Sequence, residues 1–265
     1  MSDGFSPDWL DLREPFDTAA RDAALLDRLA SWRRDRGQLH VTDLGAGTGG
    51  NLRRTATRLG GAQRWALVER DPALIRAGQA RLGGEAVEWR YRQLDLATEL
   101  EALGDEPCDL VTASALLDLV SREWLARLVA LCRCSGAALY ITLTYDGRIE
   151  WDPEDPCDAP AVRLVNQHQR TDKGFGPACG PEAVAELAML LGRDTVELAS
   201  SDWVLKPEAS ALQSELMRGY LHAALAMAPD AALELDLWAD RRRSRIAEDD
   251  SCLRVGHTDL LLLPA

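Results

Sequence analysis

The stretch His40-Val41-Thr42-Asp43-Leu44-Gly45-Ala46-Gly47-Thr48-Gly49-Gly50-Asn51 constrains this chain more than any other. A short apolar run is followed by an acid and then by four glycines in six positions. The run predicts a buried strand, and the glycines predict a tight turn delivering the chain into a helix that starts near Asn51. A side chain at such a turn would hold the backbone away from a ligand and bar positive φ, so the turn predicts a cofactor cradle. An ordinary strand-to-helix turn is the alternative, and it leaves the acids farther along the chain as coincidences.

The alternation continues. Gly60-Gly61 stops the first helix, and Trp65-Ala66-Leu67-Val68-Glu69 predicts a second strand leading through Arg70 and the cap Asp71 into a helix opened by Pro72. A third strand is predicted near 87–93, ahead of Leu94-Asp95-Leu96, and a fourth over 109–114. A helix from about Ser121 to Cys134, stopped by Gly136, precedes a fifth strand over 137–144; a sixth is predicted near 195–205. Strands and helices in this order predict an α/β fold with a doubly wound, mostly parallel sheet and helices on both faces. Ligands in such sheets sit at the carboxyl ends of the strands, where Gly45, Glu69, Asp95, Ser114 and Tyr145 fall. Glu69, roughly 20 residues past the glycines at the tip of the second strand, stands where a carboxylate holds a ribose diol. Ahead of the first strand, a helix is predicted over roughly 18–36. Its opening segment either covers the cofactor, offering Arg13 or Arg21 to a carboxylate, or packs with its arginines solvated.

Composition narrows the function. The 265 residues suffice for one large α/β domain, and the formal charge of -13 argues against gripping nucleic acid by its phosphates. The chain lacks an N-terminal apolar signal and any apolar run long enough to span a membrane, so the expectation is a cytoplasmic protein without a membrane partner. The six cysteines lack the spacing of a zinc site or a disulfide framework, so no metal is expected and the thiols are read as reduced. Nothing in the sequence sets the oligomeric state.

Together, Asp43-Leu44-Gly45-Ala46-Gly47-Thr48-Gly49, Val68-Glu69-Arg70-Asp71-Pro72, Leu94-Asp95-Leu96 and Asp109-Leu110-Val111 resemble the motifs of the class I S-adenosylmethionine-dependent methyltransferases. The resemblance covers roughly residues 38–145. It implies S-adenosylmethionine as cofactor, held by Asp43, Gly45, Ala46, Gly47, Gly49, Glu69, Arg70, Asp95, Leu96 and Ser114. Gly45 to Gly49 would face the methionine moiety, Glu69 the ribose hydroxyls, Asp95 and the Leu96 backbone the adenine, and Ser114 the sulfonium side. It also implies a seven-stranded sheet whose last strand, over 254–263, runs antiparallel beside the fifth. The expected organisation is a single domain, 1–265, made of an N-terminal helical cap (1–37), a cofactor-binding core (38–145), a lid-like insertion (146–181) and a C-terminal part with inserted helices (182–265).

The acceptor has to be read outside the shared core. The segment 146–181 is too polar for a core strand and too long for a plain connection, and it leaves the fifth strand at the ligand end, where it can close over an acceptor. His168 and Asp172 are its candidate bases, and Arg170, Lys173 and Tyr145 its candidate substrate contacts, which suggests a small anionic or polar metabolite methylated on O or N. The run Arg241-Arg242-Arg243, with Glu248, Asp249 and Asp250 close behind, reads as a solvated, salt-bridged face. Alternatives remain: a methyltransferase acting on protein or RNA, a nicotinamide-dependent dehydrogenase (Gly45, Gly47 and Gly50 imitate a dinucleotide turn), and a non-catalytic binding module.

Overall fold

The computed structural model describes residues 6–264. Its strands are β1 (Leu39–Leu44), β2 (Gln63–Glu69), β3 (Glu88–Gln93), β4 (Leu110–Ser114), β5 (Ala138–Asp152), β6 (Glu197–Ser200), β7 (Trp203–Leu205) and β8 (Cys252–Leu262). They form one mixed sheet in the order β3-β2-β1-β4-β5-β8-β6, with β7 also paired to β8. The five leading strands are parallel, whereas β8 runs antiparallel to β5, β6 and β7. The chain reverses its winding between β1 and β4, which opens the crevice at their carboxyl ends.

The sheet has eight strands among the described residues, not seven, because the predicted sixth strand breaks at Ser201-Asp202. There the Asp202 carboxylate accepts from Ser200 Oγ and the His257 amide and ion-pairs with Arg148, replacing ladder bonds with side-chain bonds. The N-terminal region likewise divides, into α1 (Pro7–Ala20) and α2 (Ala23–Arg33). Asp22 caps α2 by accepting from the Leu25 amide, which stops α1 at Arg21. The other helices are α3 (Gly50–Leu59), α4 (Pro72–Arg81), α5 (Arg122–Ser135), α6 (Asp158–Gln169), α7 (Ala183–Leu191), α8 (Ser210–Met227) and α9 (Ala232–Ala247).

The insertion expected to lack strand structure begins as strand. β5 runs on to Asp152, past register shifts near Tyr145, because Ile149 and Trp151 alternate inward while Arg148, Glu150 and Asp152 face solvent. This extension, with β7 and β8, carries an apolar cluster of its own under α6, α8 and α9, built around Trp151, Trp203, Leu212, Met217 and Trp238. One arginine of the expected solvated run belongs to it. Arg242 is fully buried, ion-paired with Asp158, donating to the Pro153 carbonyl at 2.7 Å and standing over the Trp151 ring. Its neighbours Arg241 and Arg243 pair at the surface with Asp155 and Asp240. A run of like charge on a helix samples every face, so one of three successive arginines has to point inward here.

Candidate active site

A cavity of about 1610 Å³ opens at the carboxyl ends of β1, β2 and β4 and beside the middle of β5, at Leu143 and Tyr145, and extends from the glycine turn to the segment after α6. A smaller hollow of about 470 Å³, lined by His40, Arg64 and Glu88 among others, lies at the opposite ends of the strands.

The turn leaves β1 with Gly47 at φ +53, a conformation that disfavours any side chain. The Gly47 amide donates to Glu69 Oε2 at 2.9 Å, and its carbonyl accepts from the Tyr91 hydroxyl at 3.0 Å. Gly49 serves packing instead: it does not line the cavity, and a Cβ there would stand 2.7 Å from Leu82. Glu69 sits at the tip of β2 with its other oxygen accepting from the Arg70 and Asp71 amides, at 2.8 and 2.9 Å. Three backbone donors fix this carboxylate while leaving lone-pair capacity toward the cavity.

Beneath the turn lies Asp43, fully buried. Its Oδ1 accepts from Asn51 Nδ2 at 2.7 Å, whereas Oδ2 has no partner among the described residues. Burial pushes this carboxyl up to about 7, against the hydrogen bond from Asn51 and the charge of Arg21. Arg21 donates to Asn51 Oδ1 at 2.7 Å and to Ser114 Oγ at 3.0 Å, so one buried guanidinium ties the start of α3 to the tip of β4. Asp95 accepts from the Ala97 amide, and the Leu96 carbonyl accepts from Trp124 Nε1 at 2.7 Å. Gly45, Ala46, Arg70, Asp95, Leu96 and Ser114 all line the cavity.

The donor set suits a cationic nucleoside. Carboxylates at three successive strand tips, one with an unpartnered buried oxygen, accept hydroxyl and amino hydrogens. A pyrophosphate, by contrast, would meet Glu69 already seated on the Gly47 amide. That arrangement counts against the dinucleotide reading.

At the far end, the Tyr145 hydroxyl donates to Asn166 Oδ1 at 2.7 Å. Lys173 Nζ lies 3.3 Å from His168 Nδ1 and donates to Thr171 Oγ1. Burial holds Lys173 below the usual lysine range; burial and the charge of Lys173 hold His168 below the usual histidine range. Asp172 lines the cavity, but its Oδ1 accepts from both the Gly174 and Gly176 amides and so closes the turn. Arg170 corrects the expectation drawn from charge alone: it is off the cavity lining, paired with Glu182 and donating to the Asn166 carbonyl.

Two residues not singled out from sequence complete this end. Asp118, 8% exposed, lines the cavity just past β4. His257 of β8 packs between Trp203 and Tyr145, its Nδ1 unpartnered among the described residues, and burial holds it down to about 3. An acid inside the apolar run Leu116-Leu117-Asp118-Leu119-Val120 was a legible signal; nothing in the sequence marked His257.

α1 lies across the cavity. Leu10 approaches Gly47, Glu14 pairs with Arg53 of α3, and Asp11 pairs with Arg81 of α4. Arg13 pairs with Asp17 and stands over the Trp203 ring, 4.9 Å from its centroid.

Residues 41–136, which hold the glycine turn, Glu69, Asp95 and Ser114, match the family model described as a methyltransferase domain. That match covers about a third of the chain and places a methyltransferase domain in it. Among solved structures the chain is similar to a cyclopropane synthase from Mycobacterium tuberculosis, at 11% identity over 90% of this chain and 83% of that one, with a TM-score of 0.48. It is also similar to a methyltransferase from Geobacter sulfurreducens, at 16% identity over 92% of each chain and a TM-score of 0.43. Another, from Thiobacillus denitrificans, gives 16% identity over 98% of this chain and 99% of that one, with a TM-score of 0.43. Both of these structures are complexes with S-adenosylhomocysteine. No curated protein matches the chain. Among the described residues no helix is long and apolar enough to cross a membrane.

Proposed function

We propose that the protein transfers the methyl group of S-adenosylmethionine to an O or N atom of a small polar or anionic metabolite, held in the cavity against the turn that follows α6 within the segment 146–181. The cofactor supplies a methyl group already activated on a positively charged sulfur. In this reading Glu69 holds the ribose hydroxyls, Asp95 and Leu96 flank the adenine, and the Asp43 carboxylate and the Gly45–Gly47 backbone face the methionine end. Lys173 offers its charge to the acceptor, and His168, kept neutral, accepts from Lys173 and aims it.

The observation that carries this reading is the size and continuity of the cavity. Ligand pockets run roughly 300–1,000 Å³, and about 1610 Å³ joining the glycine turn to Lys173 leaves room for an acceptor beside a nucleoside. Two reactants held in line in one enclosed space need little further assistance. The charge of -13 favours a small molecule over nucleic acid.

Calorimetric titration with S-adenosylmethionine, S-adenosylhomocysteine and nicotinamide dinucleotides tests the cavity assignment; micromolar binding of the first two alone is expected. Lys173→Ala should leave that binding intact and lower turnover of an anionic acceptor about tenfold, the loss of one charged contact. Equal loss of cofactor binding would place Lys173 at the cofactor instead.

A further inference from the structure

Asp118 differs from every other carboxylate of the cavity. Glu14, Asp17, Asp43, Glu69, Asp71, Asp95, Glu99 and Asp172 each accept a hydrogen bond from another residue. Asp118 accepts none from any other described residue, although it is 8% exposed and lines the cavity. It sits on the short turn Leu117–Leu119 among leucines. The charges that reach it come from other elements: Arg13 of α1, already paired with Asp17, and Lys173 after α6, directed at His168 and Thr171. The hydroxyl of Tyr145 on β5 also feels its charge, and His222 of α8 lines the same cavity. A carboxylate withdrawn from water without a hydrogen-bond donor is costly, and the cost falls when a cation reaches it.

We propose that Asp118 receives the amino group of the methyl acceptor, and that the acceptor is a small amine, bound as its ammonium at Asp118 with its polar or anionic part toward Lys173, and methylated on nitrogen. The proposal rests on the reading of this cavity as the methyltransferase site. The ammonium gives one N–H proton to the Asp118 carboxylate. The lone pair so released forms the new N–C bond as the C–S bond of the sulfonium breaks, and that bonding pair stays on sulfur as the thioether. The proton remains on Asp118 until solvent takes it.

Proton affinity separates amines from alcohols. Burial pushes Asp118 up to about 6. An alkylammonium titrates at ~10.4, as lysine does; the like charge of Lys173 lowers that value and the opposite charge of Asp118 raises it. An aliphatic hydroxyl holds its proton far more tightly, beyond the reach of this carboxylate.

The test uses the full chain saturated with S-adenosylhomocysteine and two matched probe pairs, 2-phenylethylamine with 2-phenylethanol and butylamine with butanol, titrated calorimetrically at pH 7.5. The aromatic pair suits a wall that includes Tyr145, Trp203 and Tyr220. Each amine should bind at least tenfold tighter than its alcohol, and the advantage should fade as pH drops below about 6, where Asp118 takes up a proton. Asp118→Asn should erase the preference while binding S-adenosylhomocysteine normally and unfolding at the wild-type temperature or above, since it removes an unpaired buried charge. Equal binding of amine and alcohol, binding of neither, or a preference surviving in D118N overturns the proposal. Failure of the wild-type chain to bind S-adenosylhomocysteine overturns the cavity reading itself, and is read before any amine is added.

Discussion

His257 shows how far a single side chain here departs from its solution chemistry. It is held down to about 3, chiefly by burial and then by the charge of Arg13. Above its ordinary 6.5 both folded and unfolded chains leave it neutral; as pH falls, the unfolded chain binds a proton that the folded one refuses. Stability is therefore lost between 6.5 and about 3, at roughly 1.4 kcal/mol per pH unit. Asp43 and Asp118, raised to about 7 and about 6 from 3.8, work the other way, since the folded state takes their protons first. In His257→Gln the loss disappears and the opposing gain remains. Urea unfolding in steps from pH 7 to pH 4.5 should show the variant gaining on wild type steadily; parallel curves would remove the argument.

At this scale legibility depended on whether a recognisable motif fixes a residue's surroundings. Glu69 could be placed because a strand tip and a glycine turn fix its surroundings. Arg170 could not, because its partner Glu182 lies twelve residues on and belongs to the next turn. Asp172 lines the cavity, yet the amides of Gly174 and Gly176 draw its oxygen into the turn.

Elements reveal dependencies that no motif carries. Gly78 lies inside α4, where alanine would ordinarily favour the helix by ~1 kcal/mol. A Cβ at Gly78 would stand 1.9 Å from the Tyr91 hydroxyl and 3.2 Å from the Thr48 carbonyl carbon. Tyr91 would have to leave, and the hydroxyl that steadies the Gly47 carbonyl would leave with it. Gly78→Ala should weaken S-adenosylhomocysteine binding about fivefold, one hydrogen bond's worth, and lower the melting temperature despite the better helix former. Tyr91→Phe should reproduce the affinity loss alone. An unchanged dissociation constant in both would show that the turn holds its shape unaided. The same scale explains the misread insertion. Asp146, Gly147 and Arg148 interrupt the apolar run of β5 at a register shift, and only Ile149 and Trp151 remain to signal that the strand resumes.

For the whole molecule, α1 is a clasp spanning α3 and α4 through Glu14–Arg53 and Asp11–Arg81, with Leu10 against the glycine turn. Partly exposed ion pairs are worth roughly 0.2–1 kcal/mol each. Removing both with Glu14→Ala and Asp11→Ala should hasten release of S-adenosylhomocysteine by roughly 2- to 30-fold, and added salt should narrow the difference from wild type. Stopped-flow dissociation in low and high salt measures this. Identical rates would mean that ligand leaves by another route. The order of strands and the place of the cavity at their tips were legible because each βα unit repeats one local pattern. The clasp and the second apolar cluster join segments far apart in the chain, and periodicity within a window does not register such pairings.

The position of β8 has a consequence for how the protein is made. This strand fills the gap between β5 and β6 and supplies His257 and the buried Asp259, whose carboxylate accepts from the Leu143 and Asp22 amides. Until residues 252–262 have left the ribosome, β5 presents a fifteen-residue open edge and β6 has no neighbour. A nascent chain in that state has the hydrogen-bonding face of an aggregation seed. The last strand of this sheet to be synthesised thus decides whether the earlier strands become a protein or a precipitate.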